Sequence, residues 1–304
     1  MNKLIRIKIA VLIIVFNCLH VTAQSKSARS FKVLLIGNSF SQNASRYLPQ
    51  MANEAQINLI LGHAEMGGCS LKRHWDSVLV NNADSTRGLA YSGKSLRQLL
   101  RSQKWDVVTL QQYSLLSGDW STYQPYAQNL LQLIKQYQPD AKIMIHQTWA
   151  YRADAINWGQ TGAGRKAKNM EEMWRKSRAS YHKLANELGG LSIIPSGDAF
   201  YKVSTHKTWA FVKDSSFIPN KAIYPQLPND LNSLNVGYSW SKDQKLNFDP
   251  NHANEAGCYL AGLVWYRFVL GQKPTRVKFK PQSVTDNFAE FLRQTAARID
   301  ATLK

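Results

Sequence analysis

Residues 31–41 read FKVLLIGNSFS and join an apolar run to a small polar turn. The apolar run over residues 31–36 predicts a short buried strand, because a strand covered on both faces needs no polar alternation. Gly37 permits a tight backbone after the strand, and residues from about 44 to 55 have the apolar spacing of a helix. A strand, a glycine turn and a helix in this order indicate the start of an α/β fold.

The same alternation of strands and helices continues along the chain. Further strands are predicted at residues 57–61, 105–110, 142–145 and 191–194. Further helices are predicted at residues 96–100, 125–137, 168–188, 253–270 and 288–303. Strands separated by helices predict a parallel sheet with helices on both faces.

Small or polar residues follow each of the first four predicted strands. They are Gly37 to Ser39, Gly67 and Gly68, Gln111 and Gln112, and His146 and Gln147. Parallel sheets place their sites at the carboxyl ends of the strands, so we expect a functional site there. The irregular segment 201–247, rich in Asn, Ser, Pro and Trp, is interpreted as an elaborated loop beside that site.

The N-terminus has the pattern of a secretory signal peptide. A positive start is followed by an apolar run over residues 9–16 and by small residues up to Ala23. A membrane anchor is the alternative, but the apolar run is too short to span a bilayer. We therefore predict cleavage near Ala23 and one exported domain, residues 24–304, periplasmic or secreted and without a membrane span.

The composition is that of an ordinary globular protein, with 44% hydrophobic and 19% charged residues. The formal net charge of +18 makes acidic glycans, anionic surface polymers and nucleic acid conceivable partners. The Lys and Arg residues are scattered, however, which equally fits a solvated basic surface. No nucleic-acid-binding motif is present, so we predict no nucleic-acid partner.

Two cysteines, Cys69 and Cys258, lie in the predicted mature chain. Export permits one disulfide between them, but we favour free buried thiols. The sequence has no CxxC pair and no His-Cys cluster at the spacing of zinc ligands. We predict neither a metal nor a cofactor.

Two segments far apart in the chain could form a nucleophile and its base. Ser39 lies at the strand-to-helix turn, where it could be an exposed nucleophile or merely the cap of the next helix. Asp249 and His252 are three residues apart, so the carboxylate could accept the Nδ1 proton of the imidazole and leave Nε2 facing the serine. A loop histidine beside a capping aspartate is the alternative.

Acyl transfer also needs donors for an oxyanion. Gly67 and Gly68 could present a backbone amide after the second strand, or they could form a plain turn. A side-chain amide could come from Gln112 or, with less support, from Gln111; a polar strand end is the alternative for both. Other residues that could act as bases are His63, His74 and His146.

In this order, the blocks GNS (residues 37–39), GG (67–68) and DPNH (249–252) resemble the SGNH, or GDSL-like, hydrolases. The resemblance implies a three-layer α/β/α sandwich around a central, mostly parallel five-stranded sheet, without a metal. It implies that Ser39 is the nucleophile, that Asp249 and His252 complete the triad, and that Ser39, Gly68 and Gln112 bind the oxyanion.

The resemblance has two departures. Asn38 stands where many members have Asp, and residues 110–112 read LQQ where members usually have GxND. The third oxyanion donor therefore stays open between Gln112 and Gln111. The strings GNSFS, GGCSL, LQQ and HQTWAY look most like an exported branch of the superfamily found with glycan-degrading systems.

We therefore predict an exported serine esterase that removes O-acetyl or similar small acyl groups from a carbohydrate, which is its expected partner. The alternatives are a lipase or thioesterase acting on lipid acyl chains, and a non-catalytic glycan-binding protein on the same scaffold. A nucleophile elbow of the GxSxG type is absent from the sequence, which argues against the α/β-hydrolase scaffold.

Several side chains are candidates for substrate contact. They include His146, Trp149 and Arg73. Aromatic residues that could stack on sugars, or equally belong to the core, also include Trp75, Tyr151 and Trp158. Candidate partners of a carboxylate on an acidic glycan are Arg73, Arg152 and Arg165.

Overall fold

A five-stranded, wholly parallel sheet forms the centre of the computed structural model, which describes residues 30–302. Its strands are β1 (Phe31–Gly37), β2 (Leu59–Glu65), β3 (Val107–Leu110), β4 (Lys142–His146) and β7 (Ser192–Ile194). Their order across the sheet is β2-β1-β3-β4-β7, so β1 lies inside the sheet and its carboxyl end is flanked by β2 and β3. The predicted signal peptide lies outside the described residues.

Nine helices and two hairpins surround the sheet within the same residues. The helices are α1 (Ser39–Ser45), α2 (Leu48–Glu54), α3 (Leu71–Ala83), α4 (Leu96–Arg101), α5 (Tyr126–Tyr137), α6 (Met170–Glu187), α7 (Ser196–Ser204), α8 (Glu255–Phe268) and α9 (Asp286–Arg298). The antiparallel hairpins are β5 (Gln160–Gly162) with β6 (Arg165–Lys166), and β8 (Asn235–Trp240) with β9 (Leu246–Ala253).

Strand β1 contributes to a separate core on each face of the sheet. Val33 and Leu35 pack in the core that contains α1, α2, α8 and α9, whereas Leu34 and Ile36 pack in the core that contains α3, α4 and α5. All four side chains are inaccessible to solvent. The alternation follows from the two-residue period of a strand. The predicted α/β architecture, with a helical layer on each side of a five-stranded sheet, is confirmed.

Several element boundaries differ from the sequence prediction. The second strand runs over Leu59–Glu65 rather than residues 57–61, so the Gly67 turn follows it almost at once. The helix predicted at 44–55 is two short helices that break around Tyr47, and Pro49 lies in the first turn of the second. Helices α3 and α7 were not predicted; they pack mainly against other helices, α3 against α4 and α5, and α7 against α6, α8 and α9.

The segment 201–247 is more ordered than the predicted loop. It begins in the last residues of α7, continues through irregular backbone, and ends in the β8–β9 hairpin. The hairpin extends beyond the segment, so residues 249–252 lie in strand β9 and not in a loop before a helix. The structure does not test the single-domain prediction, which stays a prediction.

Cys69 and Cys258 are both buried and unpaired, which confirms the preference for free thiols. Within residues 30–302, every helix is too short or too polar to cross a lipid bilayer.

Candidate active site

The Ser39 hydroxyl lies at the carboxyl end of β1, and its Oγ is 2.9 Å from Nε2 of His252. Ser39 is the first residue of α1, but it does not cap the helix. The cap is Asn38, whose side chain accepts a hydrogen bond from the amide of Phe40. The alternative role of Ser39 as a helix cap is therefore wrong, and its hydroxyl is available to the imidazole.

Asp249 holds the His252 imidazole from behind. Its Oδ2 is 2.7 Å from Nδ1 of His252, while its Oδ1 accepts the backbone amides of Asn251 and His252. Since a carboxylate needs a donor, Nδ1 carries the proton and Nε2 is left to accept from Ser39. Burial raises the pKa of Asp249, but the hydrogen bonds from His252 and Asn251 prevail and hold it below its ordinary value.

Asn38 connects the ends of three strands behind the nucleophile. Its Nδ2 donates to the carbonyl of Cys69 at 2.9 Å, and its Oδ1 accepts from Nε2 of Gln111 at 2.6 Å. An aspartate could not donate to the Cys69 carbonyl, which explains why an asparagine suits this position. Gly37 is needed for space, because an added Cβ would lie 2.2 Å from the Ser41 hydroxyl oxygen.

Strand β9 is held in place by contacts from the segment that follows β4. Nε1 of Trp149 donates to the carbonyl of Asn251 at 2.9 Å. The amide of Arg152 donates to the carbonyl of Pro250 at 2.8 Å. On the other side, the side chain of Asn43 in α1 accepts from the amide of Ala253 at 3.1 Å. These contacts fix both flanks of the segment that carries Asp249 and His252.

The amide of Ser39 and that of Gly68, in the turn after β2, lack a hydrogen-bond acceptor among the residues that the structure describes. Gly68 has a φ of +57°, a conformation that favours glycine. The carbonyl of Gly67 accepts from the Arg73 guanidinium, and a trans peptide directs C=O and N–H to opposite sides. The Gly68 amide therefore points away from Arg73.

The expectation that Gln112 is an oxyanion donor needs correction. Its side chain is fully buried, and its Oε1 accepts the amides of Leu71 and Tyr113. Its Nε2 donates to the carbonyl and hydroxyl oxygens of Thr122. With these partners, Gln112 joins the end of β3 to the start of α3. The sequence pattern could not predict these contacts, because it does not show in which direction an amide side chain at the end of a strand points.

Gln111 is also buried, and it forms the centre of a polar network. Its Oε1 accepts from the hydroxyl of Ser41 and from Nδ1 of His146. Nε2 of His146 in turn accepts from the Ser196 hydroxyl at 3.2 Å. Since its Nε2 donates to Asn38, neither end of the Gln111 amide is left for a substrate.

The contacts with substrate that were expected for His146 and Trp149 are also wrong, because both side chains lie inside the protein. Both side chains are almost completely buried, and burial lowers the pKa of His146 to about 3, so the ring is neutral. Trp149 stacks between Phe40 and Phe200. Tyr151 and Trp158 are buried in the same core, whereas Trp75 is half-buried.

The other candidate bases have different partners. His74 is buried between the Gly37 carbonyl and the Tyr91 hydroxyl, and burial lowers its pKa to about 4. His63 pairs with Glu65 at 2.7 Å, a hydrogen bond that raises the pKa of His63. Among the described histidines, His252 is the one that contacts Ser39.

The three arginines expected to bind a carboxylate have different environments. Arg152 is buried between Asp154 and Asp230, so the structure corrects its expected role to a structural one. Arg73 is exposed, and its Nη1 lies 3.3 Å from the carbonyl oxygens of both Gly67 and Gly68. Arg165 is exposed on β6. A substrate role of Arg73 or Arg165 stays a prediction.

The arrangement joins a hydroxyl, an imidazole and a carboxylate in one hydrogen-bonded chain. Such a chain can deprotonate the hydroxyl as it attacks an electrophile, while nearby amides stabilise negative charge. Sequence reasoning missed the linking role of Asn38, although its position directly after strand β1 was a usable signal; it also missed Asn43, which lies within α1 and gives no such signal. In residues 30–302, no three acidic, histidine or cysteine side chains are grouped as metal ligands would be.

The chain matches one family profile and several solved structures. The profile is described as "Domain of unknown function (DUF4886)" and matches residues 32–214, more than half of the chain. A DUF4886 family protein from Bacteroides uniformis is 26% identical, with a TM-score of 0.66; the match covers 88% of this chain and 94% of that protein. No curated protein is significantly similar in sequence.

GDSL-like lipolytic proteins are among the structural relatives. A member of the lipolytic protein G-D-S-L family from Veillonella parvula is 12% identical with a TM-score of 0.44, covering 80% of this chain and 100% of that one. The periplasmic domain of a lipopolysaccharide acetyltransferase from Salmonella ser. Paratyphi A is 11% identical with a TM-score of 0.43, covering 80% and 84%.

Proposed function

The chain belongs to the DUF4886 family, and from this premise and the site geometry we propose that it is a serine ester hydrolase. The observation that carries the proposal is the contact of 2.9 Å between the Ser39 hydroxyl oxygen and Nε2 of His252. The Asp249 carboxylate lies 2.7 Å from the other ring nitrogen. The nucleophile, the base and the residue that orients the base are thus within hydrogen-bonding distance.

The proposed reaction has two steps. In the first, Ser39 Oγ attacks the ester carbonyl while His252 Nε2 takes its proton, and the imidazolium then protonates the leaving alkoxide. In the second, His252 takes a proton from water as the water oxygen attacks the acyl-serine; the bond to Ser39 Oγ then breaks, the imidazolium returns its proton to Oγ, and the acid is released. Asp249 stays ionised and stabilises the imidazolium in both steps.

Negative charge on the reacting oxygen needs donors that are already oriented. We assign this role to the amides of Ser39 and Gly68, which have no other partner among the described residues. The buried Gln112 side chain is not included, since Thr122 occupies its donor. The donor set therefore consists of backbone amides.

We propose that the substrate carries an O-acetyl or similar small acyl group on a carbohydrate. The support is the resemblance of the blocks to an exported branch of SGNH hydrolases and the predicted signal peptide. The net charge, +18 for the whole sequence and +15 without the three positive residues of the predicted signal peptide, is compatible with a substrate that carries acidic groups. Hydrolysis at the cell surface or in the periplasm would follow from export.

The direct test is active-site labelling. A fluorophosphonate should form a covalent adduct at Ser39 of the purified protein, and Ser39→Ala should lose both labelling and ester hydrolysis. The variant should keep its fold, because the side chain of Ser39 is half-exposed and bonds to His252 alone among the described residues. Circular dichroism and thermal unfolding provide the control for folding.

Retention of most hydrolysis by Ser39→Ala would remove Ser39 from the proposed role. Absence of labelling in a folded wild-type protein would instead favour the non-catalytic alternative. The substrate class is tested by a screen of acetylated and methyl-esterified polysaccharides, with acid release followed by pH. Release of acetate from an acetylated glycan is the expected result.

One observation favours the lipase alternative as a second candidate. The segment 201–247 exposes several large apolar side chains, among them Ile218, Ile223 and Tyr224. An apolar surface beside strand β9 could accommodate an acyl chain. Nitrophenyl esters from acetate to palmitate separate the two functions: an O-acetyl esterase prefers the shortest chain and a lipase the longer ones.

A further inference from the structure

Arg73 lies at the outer edge of the loop that presents Gly68. It is the third residue of α3, and its side chain is exposed. Its Nη1 donates to the carbonyls of Gly67 and Gly68, at 3.3 Å each. The guanidinium is therefore anchored within one or two peptide units of the Gly68 amide, one of the proposed oxyanion donors.

The charge of Arg73 is not neutralised by any acidic side chain in the part of the chain that the structure describes. No acidic side chain of residues 30–302 forms an ion pair with it. By contrast, Lys72 beside it pairs with Asp76, and the partly buried Arg178 pairs with Asp198. Within the same residues, Nε and Nη2 of Arg73 make no hydrogen bond, so one edge of the guanidinium is open to solvent.

An anchored guanidinium with an open edge is suited to a carboxylate, because Nε and Nη2 match the two oxygens of that group. Two carboxylates of this region are already engaged: Asp249 of the triad by His252, and Glu65 at the end of β2 by His63. They therefore oppose an incoming anion less than free carboxylates would. The unpaired positive charge is thus the feature of this rim that a substrate can use.

We propose that Arg73 binds a carboxylate on the substrate, so that the enzyme acts on acyl esters of acidic sugars. This inference rests on the proposed function, since it assigns the substrate class of the same site. The guanidinium lies on the carbonyl side of the peptide whose amide is the proposed donor, so the carboxylate is expected beyond the ester group, on the far side of the esterified sugar or on its neighbour. A free carboxylate close to the ester is thus the property that is recognised.

The test compares two substrates that differ only at the carboxyl group. One is a methyl glycoside of O-acetylated galacturonic acid, and the other is the corresponding uronamide, which is neutral. The measured quantity is the ratio of the kcat/KM values for acetate release from the acid and from the amide. For the wild-type enzyme at low salt we expect a ratio of about 10 or more, equivalent to about 1.4 kcal/mol.

Arg73→Gln should bring this ratio close to one. Arg73→Lys should give an intermediate ratio, because the lysine ammonium keeps the positive charge but lacks the two parallel N–H donors of the guanidinium. Arg175→Gln removes an exposed arginine from α6 and should keep the wild-type ratio. The ratio within each variant cancels any loss of turnover caused by disturbing the Gly67 and Gly68 carbonyls. High salt should lower the wild-type ratio.

A wild-type ratio near one, or an unchanged ratio in Arg73→Gln, would overturn the inference while leaving the esterase proposal intact. The same holds if the enzyme cleaves nitrophenyl acetate and neither sugar ester. A folded protein that cleaves no ester and is not labelled at Ser39 would overturn the proposed function, and this inference with it.

Discussion

Asp249 illustrates how one side chain can serve both of the roles that its sequence position suggests. One carboxylate oxygen accepts backbone amides of its own turn, as a capping aspartate does, and the other contacts the His252 imidazole. The hydrogen bonds from the backbone amides fix the position of the carboxylate, and the contact with Nδ1 fixes the tautomer of the imidazole. Local structure and proposed chemistry thus depend on the same residue.

Asp249→Asn should reduce kcat/KM by about 100-fold to 10,000-fold, and by at least tenfold less than Ser39→Ala. The asparagine side chain can still accept the backbone amides of residues 251 and 252. It no longer accepts reliably from Nδ1 of His252, so the imidazole loses its preferred tautomer. Steady-state kinetics on a nitrophenyl ester measure both variants. Equal losses would mean that Asp249 does more than orient His252.

Gln112→Ala should affect stability more than catalysis. Truncation leaves the buried amides of Leu71 and Tyr113 and the carbonyl of Thr122 without a partner, so the free energy of unfolding should fall by about 2–4 kcal/mol. Urea unfolding measures this loss. The kcat of the folded fraction should fall less than tenfold; a loss of 100-fold or more would restore Gln112 as an oxyanion donor.

At the scale of elements, the β8–β9 hairpin carries the base to the nucleophile. Arg152 contacts it through its backbone amide, which bonds to Pro250, and through its guanidinium, which lies over the Phe248 ring and is held there by Asp154 and Asp230. Gly237 of β8 makes room for the guanidinium, because an added Cβ would lie 2.2 Å from Nη1. The hairpin is thus fixed by a charge buried beneath it.

Arg152→Met should destabilise the hairpin and reduce activity together. Removing one partner of a buried ion pair costs about 3–5 kcal/mol, because the remaining carboxylates are left uncompensated. We expect Tm to fall by about 10 °C and proteolysis within residues 205–245 to become faster. Arg175→Met, at an exposed position on α6, is the control and should change neither stability nor activity. A stable Arg152→Met with full activity would contradict this role.

At the scale of the whole molecule, the sheet and its two cores bring distant segments together. Ser39 and His252 are 213 residues apart in sequence. Strand β1 lies inside the sheet, and α1, which begins at Ser39, packs against α8, which follows His252. Two buried histidines form hydrogen bonds at the carboxyl ends of the strands: His74 with the Gly37 carbonyl of β1, and His146 with Gln111 directly after β3.

Acid should destabilise the fold through these two histidines. Their ordinary pKa is near 6.5, and burial lowers it to about 4 for His74 and to about 3 for His146. Between the folded and the ordinary pKa, each histidine is protonated in the unfolded chain and neutral in the folded one. The free energy of unfolding therefore keeps its full value above pH 6.5 and decreases as the pH falls toward 4 for His74 and toward 3 for His146. Near pH 5 the two contribute a slope of about 2–3 kcal/mol per pH unit.

Urea unfolding between pH 4.5 and 7.5 measures this slope. His146→Gln should remove about half of it, because the variant has no proton to take up at that position. A variant with the same slope as the wild-type protein would show that His146 is already protonated in the folded state, contrary to its buried contacts.

Much of the fold was predictable because its signals are local. Apolar runs of four to six residues indicated all five strands of the sheet, and the spacing of Asp249 and His252 suffices to place a carboxylate against its own imidazole. The β8–β9 hairpin escaped prediction, because its strands contain polar residues and are supported by contacts with Arg152, which is distant in sequence.

The sequence by itself determined the strand-turn-helix at Ser39 and the carboxylate-imidazole pair, since both depend on neighbours within a few residues. Only the tertiary structure decided that these two segments meet, and that Gln112, His146 and Trp149 turn inward. The direction of a side chain at a strand end depends on which buried groups lack a hydrogen-bond partner. Those groups belong to segments distant in the chain, so no local pattern specifies them.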